Sequence, residues 1–191
     1  MNKIKNLKFN ESIENHLIAL ESLKSMIAEI EDTAASMMDM INQGGRIFWM
    51  GNGGSAADAQ HYAAELMVRY TRNREPIPSI ALTTDSSLIT AHSNDFEYET
   101  VFSRQVKAHA KANDVFVGIS TSGNSKNILL AMKEANNLGC MTVGLLGNDG
   151  GVIAENTTHP LVVKNNITAH IQECHLIIGH YLCDFIELNH S

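Results

Sequence analysis

RIFWMGNGGSAADAQHYAAEL, residues 46–66, runs from an apolar stretch through a glycine-rich turn into a helical pattern without interruption. The same order returns at VFVGISTSGNS, residues 115–125, ahead of a second helical pattern. An apolar strand, a tight polar loop and a helix form the repeating unit of an open α/β sheet. In such sheets ligands sit beyond the carboxyl ends of the strands, where free backbone N–H groups and a helix N-terminus favour an anion. Glycine lets the backbone come close, and the second loop adds hydroxyl donors at Ser120, Thr121, Ser122 and Ser125. Used twice, the arrangement points to a phosphorylated small molecule.

Reading outward, strands are expected at 46–50, 79–83, 114–119, 141–146 and 159–163, with helices near 55–70, 86–93, 97–111, 125–138 and 168–188. Strands alternating with helices of this length imply right-handed crossovers. The expected fold is α/β, a three-layer αβα sandwich with a mostly parallel sheet of about five strands. No repeat, low-complexity segment or linker interrupts the chain. It therefore reads as one domain over 1–191, with an N-terminal helical segment (1–45) ahead of an αβα core (46–191). Residues 9–43 read as one long helix or a broken pair, because Ile13, His16, Leu17, Leu20, Leu23, Ile27 and Ile30 recur at three and four until Gly44-Gly45. The apolar face of this segment, with Met37, Met38 and Met40, is either a subunit interface or a surface laid on its own sheet.

Composition narrows the function. With 191 residues, 44% of them hydrophobic, the chain can bury a full core, and a net charge of −7 argues against nucleic acid and anionic membrane as partners. Any anion site must then be local. Cys140, Cys174 and Cys183 lack metal-type spacing and suit free thiols in a reducing compartment. No leader pattern and no membrane-spanning apolar run is visible, so the expected location is the cytoplasm.

Three further patterns carry chemistry. Residues 51–56, GNGGSA, also fit a dinucleotide fingerprint, but that site needs an acidic residue about 20 positions on, and Asp85 comes about 30 after Ala56. No phosphate-binding GxxxxGK[ST] occurs. His61 and Glu65 stand at i and i+4 on the helix leaving the first loop, about 40° apart around its axis, so they either share one metal ion or substrate or form an exposed hydrogen-bonded couple. The last helix sets Gln172, Glu173, His175 and His180 among Ile171, Leu176, Ile177, Ile178, Leu182 and Phe185. Gln172 and His180 are about 12 Å apart in helix rise, so one ion holds both only if the side chains lean together or come from different protomers.

These residues together resemble a sugar isomerase (SIS) domain, and more closely the phosphoheptose isomerases. The resemblance runs nearly the whole length: GNGGSAADAQHYAAEL at 51–66, ALTTDSS at 81–87, SNDFEYETVFSRQV at 93–106, GISTSGNS at 118–125 and the helix from Ile171 to His180. It implies that Asn52, Gly53, Gly54, Ser55, Asn94 and Asp95 contact substrate, and that Ser120, Thr121, Ser122 and Ser125 hold its phosphate. It also implies that His61, Glu65, Gln172 and His180 bind one zinc ion per subunit, that Gln172 also touches substrate, and that Glu65 and His180 form the acid/base pair. One departure is visible, since this chain has His92 and Ser93 where the family often has an apolar residue and glycine.

The activity so implied is conversion of sedoheptulose 7-phosphate to D-glycero-D-manno-heptose 7-phosphate through an enediol, the first step toward ADP- or GDP-heptose for lipopolysaccharide core or capsule. The implied assembly is a homotetramer with sites at subunit interfaces. The residue types suit the chemistry: a carboxylate can take a carbon-bound proton and an imidazole can serve the oxygens near neutral pH. Two alternatives stay open, an SIS isomerase of another sugar phosphate and a non-catalytic SIS scaffold. The second loses the catalytic glutamate and histidine, whereas Glu65 and His180 are present here.

Overall fold

The computed structural model describes residues 8–190. Helices α1 (Phe9–Ser22) and α2 (Ile27–Asn42) are joined by one 3-10 turn, Leu23–Met26, so the N-terminal segment is the broken pair. There follow β1 (Ile47–Gly51), α3 (Gly54–Met67), β2 (Ser79–Ala81) and α4 (Ser86–Asp95). After a 3-10 turn at Tyr98–Thr100 come α5 (Val101–His109), β3 (Val115–Ser120), α6 (Lys126–Asn137) and β4 (Met141–Gly147), and then α7 (Gly151–Ala154), β5 (His159–Val163) and α8 (Thr168–Asn189).

All five strands are parallel in the order β2-β1-β3-β4-β5. Side-chain alternation assigns each strand residue to a face. Ile47 and Trp49 of β1, Val115, Val117 and Ile119 of β3, and Leu161 and Val163 of β5 join the core under α2, α3 and α8. Phe48 and Met50, Phe116, and Leu146 of β4 join the core under α5, α6 and α7. Two apolar cores separated by a sheet make the three-layer sandwich, and each fully buried large side chain contributes about 1.5–3 kcal/mol. The single tryptophan satisfies its own polar atom, Trp49 Nε1 donating to Ser79 Oγ at 2.8 Å.

The N-terminal pair divides between the two roles open to it. On α2, Ile30, Ala34, Met37, Met38 and Ile41 are buried in the chain's own core, whereas on α1 only Ala19 is buried and Phe9, Ile13, Leu17 and Ile18 stay exposed.

Some boundaries differ from the sequence reading. Strand β2 stops at Ala81, and the helix expected over 97–111 is regular only from Val101 to His109. Helix α3 ends at Met67 rather than near 70, because the Arg74 guanidinium takes the carbonyls of Leu66 (2.7 Å) and Glu65 (3.0 Å). The short α7, unforeseen in the sequence, is started by Asp149, whose Oδ1 accepts the Gly151 N–H at 3.0 Å. Cys140, Cys174 and Cys183 are free and buried. Burial pushes the Cys174 thiol up to about 11, with the Glu173 charge adding to it, and pushes Cys183 higher still. No described helix is long and apolar enough to cross a membrane.

Candidate active site

Strand order reverses between β1 and β3, since the chain leaves β1 toward β2 on one side and returns to β3 on the other. Their register sets Gly51 beside Ile119, so GNGGS and STSGNS leave the sheet side by side. This is where an open α/β sheet leaves a crevice for ligand. Asn52 locks the two loops together: its amide exchanges hydrogen bonds with Asn127 at 2.8 and 2.9 Å, and Tyr98 Oη donates to its Oδ1 at 2.9 Å. Gly53 is the N-cap of α3, and Ser55 is buried in its first turn.

In the second loop Ser120 is buried, with its Oγ 2.9 Å from Ser125 Oγ and 3.4 Å from Ser122 Oγ. Ser125 is the N-cap of α6, yet its side chain makes no capping hydrogen bond. Three hydroxyls therefore converge at the positive end of a twelve-residue helix, an arrangement suited to a phosphate. Thr121 adjoins them, its carbonyl taken by Asn148 Nδ2 at 2.9 Å.

The second half of the site is built where α8 crosses α3. Gly179 permits the crossing, since a Cβ there would stand 2.3 Å from Cζ of Tyr62. The Tyr62 ring cannot yield: it is fully buried against Trp49, with its hydroxyl donated to the His175 carbonyl at 2.9 Å. The close approach delivers the next residue, His180, to the exposed edge of α3. There His61 Nε2 lies 2.9 Å from Glu65 Oε1 and 3.4 Å from His180 Nε2, and the ligand atoms of all three lie within 4.8 Å of one another. Ligands at about 2.0–2.1 Å around a tetrahedral ion stand about 3.3 Å apart, so this two-histidine, one-carboxylate group fits a divalent transition metal.

Gln172 enters from the start of α8 and lies over the first loop, where a Cβ on Gly54 would stand 2.7 Å from its Nε2. The single chain thus joins Asn52, Gly53, Gly54, Ser55 and Gln172 at one loop, Ser120, Thr121, Ser122 and Ser125 at the other, and His61, Glu65 and His180 at the helix crossing. The side chains of Asn94 and Asp95 hydrogen-bond to each other, at 2.8 Å, rather than to these residues. Both end α4, exposed, and Asp95 lines a cavity of about 310 Å³ that neither loop borders. His92, the departure from the family pattern, is buried: its Nε2 is 2.9 Å from Thr100 Oγ1 and its ring stacks on Phe96.

Four participants were missed in the sequence. Asn127 and Tyr98 hold Asn52, and an asparagine one place into a helix gave no signal. Asp58 lies one turn before His61; burial pushes its carboxyl up, while the charges of His61 and His180 pull it back. Glu187, buried on α8, accepts the backbone N–H groups of Tyr70 and Thr71 at 2.7 Å and of Arg72 at 2.9 Å, and the Thr71 hydroxyl at 3.0 Å. Burial pushes Glu187 up, but these bonds outweigh it and hold the carboxyl at about 2. It fastens the segment after α3 onto α8, and so fixes the two helices that bring the metal-type ligands together. His175 does not join the site. It lies in the core with Nε2 donating to the Leu146 carbonyl at 3.1 Å, and burial holds it down at about 4 despite that bond.

Known proteins resemble this chain in sequence and in fold. Residues 8–147 match the model of the SIS domain family. The phosphoheptose isomerase of Aquifex aeolicus is 42% identical over 187 residues, 98% of this chain and 96% of its own. Among solved structures, a phosphoheptose isomerase from Francisella tularensis superposes with a TM-score of 0.91 at 34% identity, over 95% of this chain and 97% of its own. That of Neisseria gonorrhoeae gives 0.88 at 38% identity, over 94% and 97%. Likeness of this extent in sequence and in fold places the chain in the SIS domain family and, within it, among the phosphoheptose isomerases, which are aldose–ketose isomerases.

Proposed function

We propose that the chain isomerises sedoheptulose 7-phosphate to D-glycero-D-manno-heptose 7-phosphate, the entry to ADP- or GDP-heptose for lipopolysaccharide core or capsule. The observation that carries this reading is the pairing of a hydroxyl-lined anion loop with a carboxylate and two imidazoles at one switch point. The phosphate is held by Ser120, Ser122 and Ser125 with Thr121, while Asn52, Ser55 and Gln172 orient the sugar. Asn94 and Asp95 complete the contacts once a neighbouring protomer is in place. At the reacting end Glu65 takes the proton from C1; the C1–H electron pair becomes the C1=C2 double bond, and His180 gives a proton to the former carbonyl oxygen. The reverse transfers then put a proton on C2 and remove one from the C1 hydroxyl, leaving the aldehyde, so no redox partner is needed. His61, Glu65, Gln172 and His180 would hold a zinc ion, which supplies polarisation of the carbonyl and stabilisation of enediolate charge. Glu65 Oε1 faces His61 at 2.9 Å, and the second carboxylate oxygen would serve as the base.

Assembly as a homotetramer in the cytoplasm belongs to the same reading. It is supported by the exposed Phe9, Ile13, Leu17 and Ile18 of α1, and by an apolar groove between α2 and α8 lined by Leu23, Ile27, Ile30, Ile177, Ile178 and Tyr181. The test is turnover of sedoheptulose 7-phosphate against fructose 6-phosphate by the purified protein, with light scattering for its mass. Preference for the heptose by a tetramer is expected. No turnover of sedoheptulose 7-phosphate, or a fully active monomer, overturns the corresponding part.

A further inference from the structure

A second cluster of metal-type ligands lies outside the site just described. His16 of α1 and His170 and Glu173 of α8 bring two imidazole nitrogens and one carboxylate oxygen within 4.8 Å of one another. Both Nδ1 atoms face the same oxygen, Glu173 Oε2: His16 in direct contact and His170 at 3.3 Å. The two rings meet edge to face with centroids 5.8 Å apart. Around a tetrahedral ion with bonds of about 2.0–2.1 Å, neighbouring ligand atoms stand about 3.3 Å apart, the separation His170 and Glu173 already have.

The burial of the three residues fits such an ion as well. The His170 side chain is only 9% exposed, which fixes one ligand firmly, whereas His16 at 30% and Glu173 at 47% leave the outer side open to an entering ion and to a water ligand. Only the His16 ring has to move, away from the carboxylate it touches, and it sits on a helix with one buried residue of its own. Two imidazoles and one carboxylate form a borderline donor set that selects zinc, cobalt or nickel over magnesium or calcium.

We propose that His16, His170 and Glu173 form a second divalent transition-metal site, separate from the His61–Glu65–His180 group, which fastens α1 to the start of α8. Without the ion, α1 is held by little apolar contact, and the ligand it reaches, Glu173, adjoins Gln172. A bound ion therefore fixes the N-terminal helix and the residue that covers the first loop together. The proposal does not depend on the isomerase reading, because it is read from ions bound rather than from turnover.

The test uses the full chain, stripped with chelator, dialysed against Zn(II) or Co(II) and assayed for metal by mass spectrometry. Wild type should hold two ions per chain, His61→Ala with His180→Ala should hold one, and adding His16→Ala to that pair should leave none. In the His61→Ala, His180→Ala background, metal at about 100 times its dissociation constant should raise the melting temperature by roughly 5–10 °C. The rise should vanish with His16→Ala. If circular dichroism shows the His16→Ala chain misfolded, Glu173→Gln, a change at an exposed side chain, gives the same count. No ion in the His61→Ala, His180→Ala background, an ion retained after either third substitution, or a melting temperature of that background indifferent to metal would mean that the cluster is an ion pair only, and the proposal falls.

Discussion

Gly179→Ala adds one methyl group where α8 crosses α3, and its Cβ would stand 2.3 Å from Tyr62 Cζ, 2.4 Å from Cε1 and 2.7 Å from Oη. Ordinary carbon contact is about 3.6 Å, so the helices must part by about 1.3 Å. Tyr62 cannot swing aside, being buried against Trp49 and hydrogen-bonded to the His175 carbonyl. Overpacking of this kind costs about 1–3 kcal/mol, and replacing a glycine within a helix returns about 1 kcal/mol. The net loss is about 0–2 kcal/mol, or up to roughly 8 °C in melting temperature for a chain of this length. Catalysis should suffer far more. His180 follows directly, and a displacement of about 1 Å at the reacting groups lowers the rate about 10²-fold. Metal affinity should fall as His180 leaves His61. The assays are turnover of sedoheptulose 7-phosphate, metal retention on dialysis and thermal melting of one preparation. A variant within threefold of wild-type kcat that keeps its metal would show that the crossing does not set the position of His180.

Other expectations follow from the same geometry. Ser120→Ala with Ser125→Ala should raise KM by about two to four orders of magnitude, at about 1.5–3 kcal/mol for each of the two charge-assisted hydrogen bonds, and an unchanged KM would put the phosphate elsewhere. Glu65→Gln and His180→Gln should each lower kcat by about 10²–10⁴, with metal content measured beside the rate; full activity in both removes them from the site. Glu187 sits at about 2 in the fold against an ordinary 4.5, so its stabilisation is complete above pH 4.5 and is lost as pH falls toward 2. Glu187→Gln should therefore lower unfolding free energy by roughly 2–3 kcal/mol at pH 7 and by little near pH 2, which urea titrations at both values would measure. A deficit equal at both pH values contradicts that linkage.

The fold was readable because each signal was local and repeated. Five apolar strands with turn residues behind them, and helices of crossover length between, leave few arrangements, and the parallel order follows. The anion loop was readable for the same reason, since Ser120, Ser122 and Ser125 lie within six residues and one turn gathers them. The helix-crossing group needed more. His61 and Glu65 announce themselves by spacing, but His180 reaches them only because Gly179 lets α8 close on Tyr62, a contact across more than a hundred residues that periodicity does not carry. Glu187 was invisible because an acidic residue near the end of an apolar helix looks solvated until the N–H groups of Tyr70, Thr71 and Arg72 are found on it. The N-terminal face was ambiguous because α1 and α2 share one apolar pattern and meet different surroundings.

The buried thiols of α8 turn this helix into its own clock. With the Cys174 thiol at about 11, its thiolate fraction at neutral pH is on the order of one part in ten thousand, and Cys183 has less still. A disulfide reagent therefore finds neither while the helix is seated. Cys174 and Cys183 stand on either side of His180 and face inward, so the rate of their modification times how often this stretch lifts from α3. Modification in step with global unfolding would mean that the metal-type ligands are held as firmly as the whole fold. Faster modification, slowed by bound metal, would mean that the crossing opens by itself.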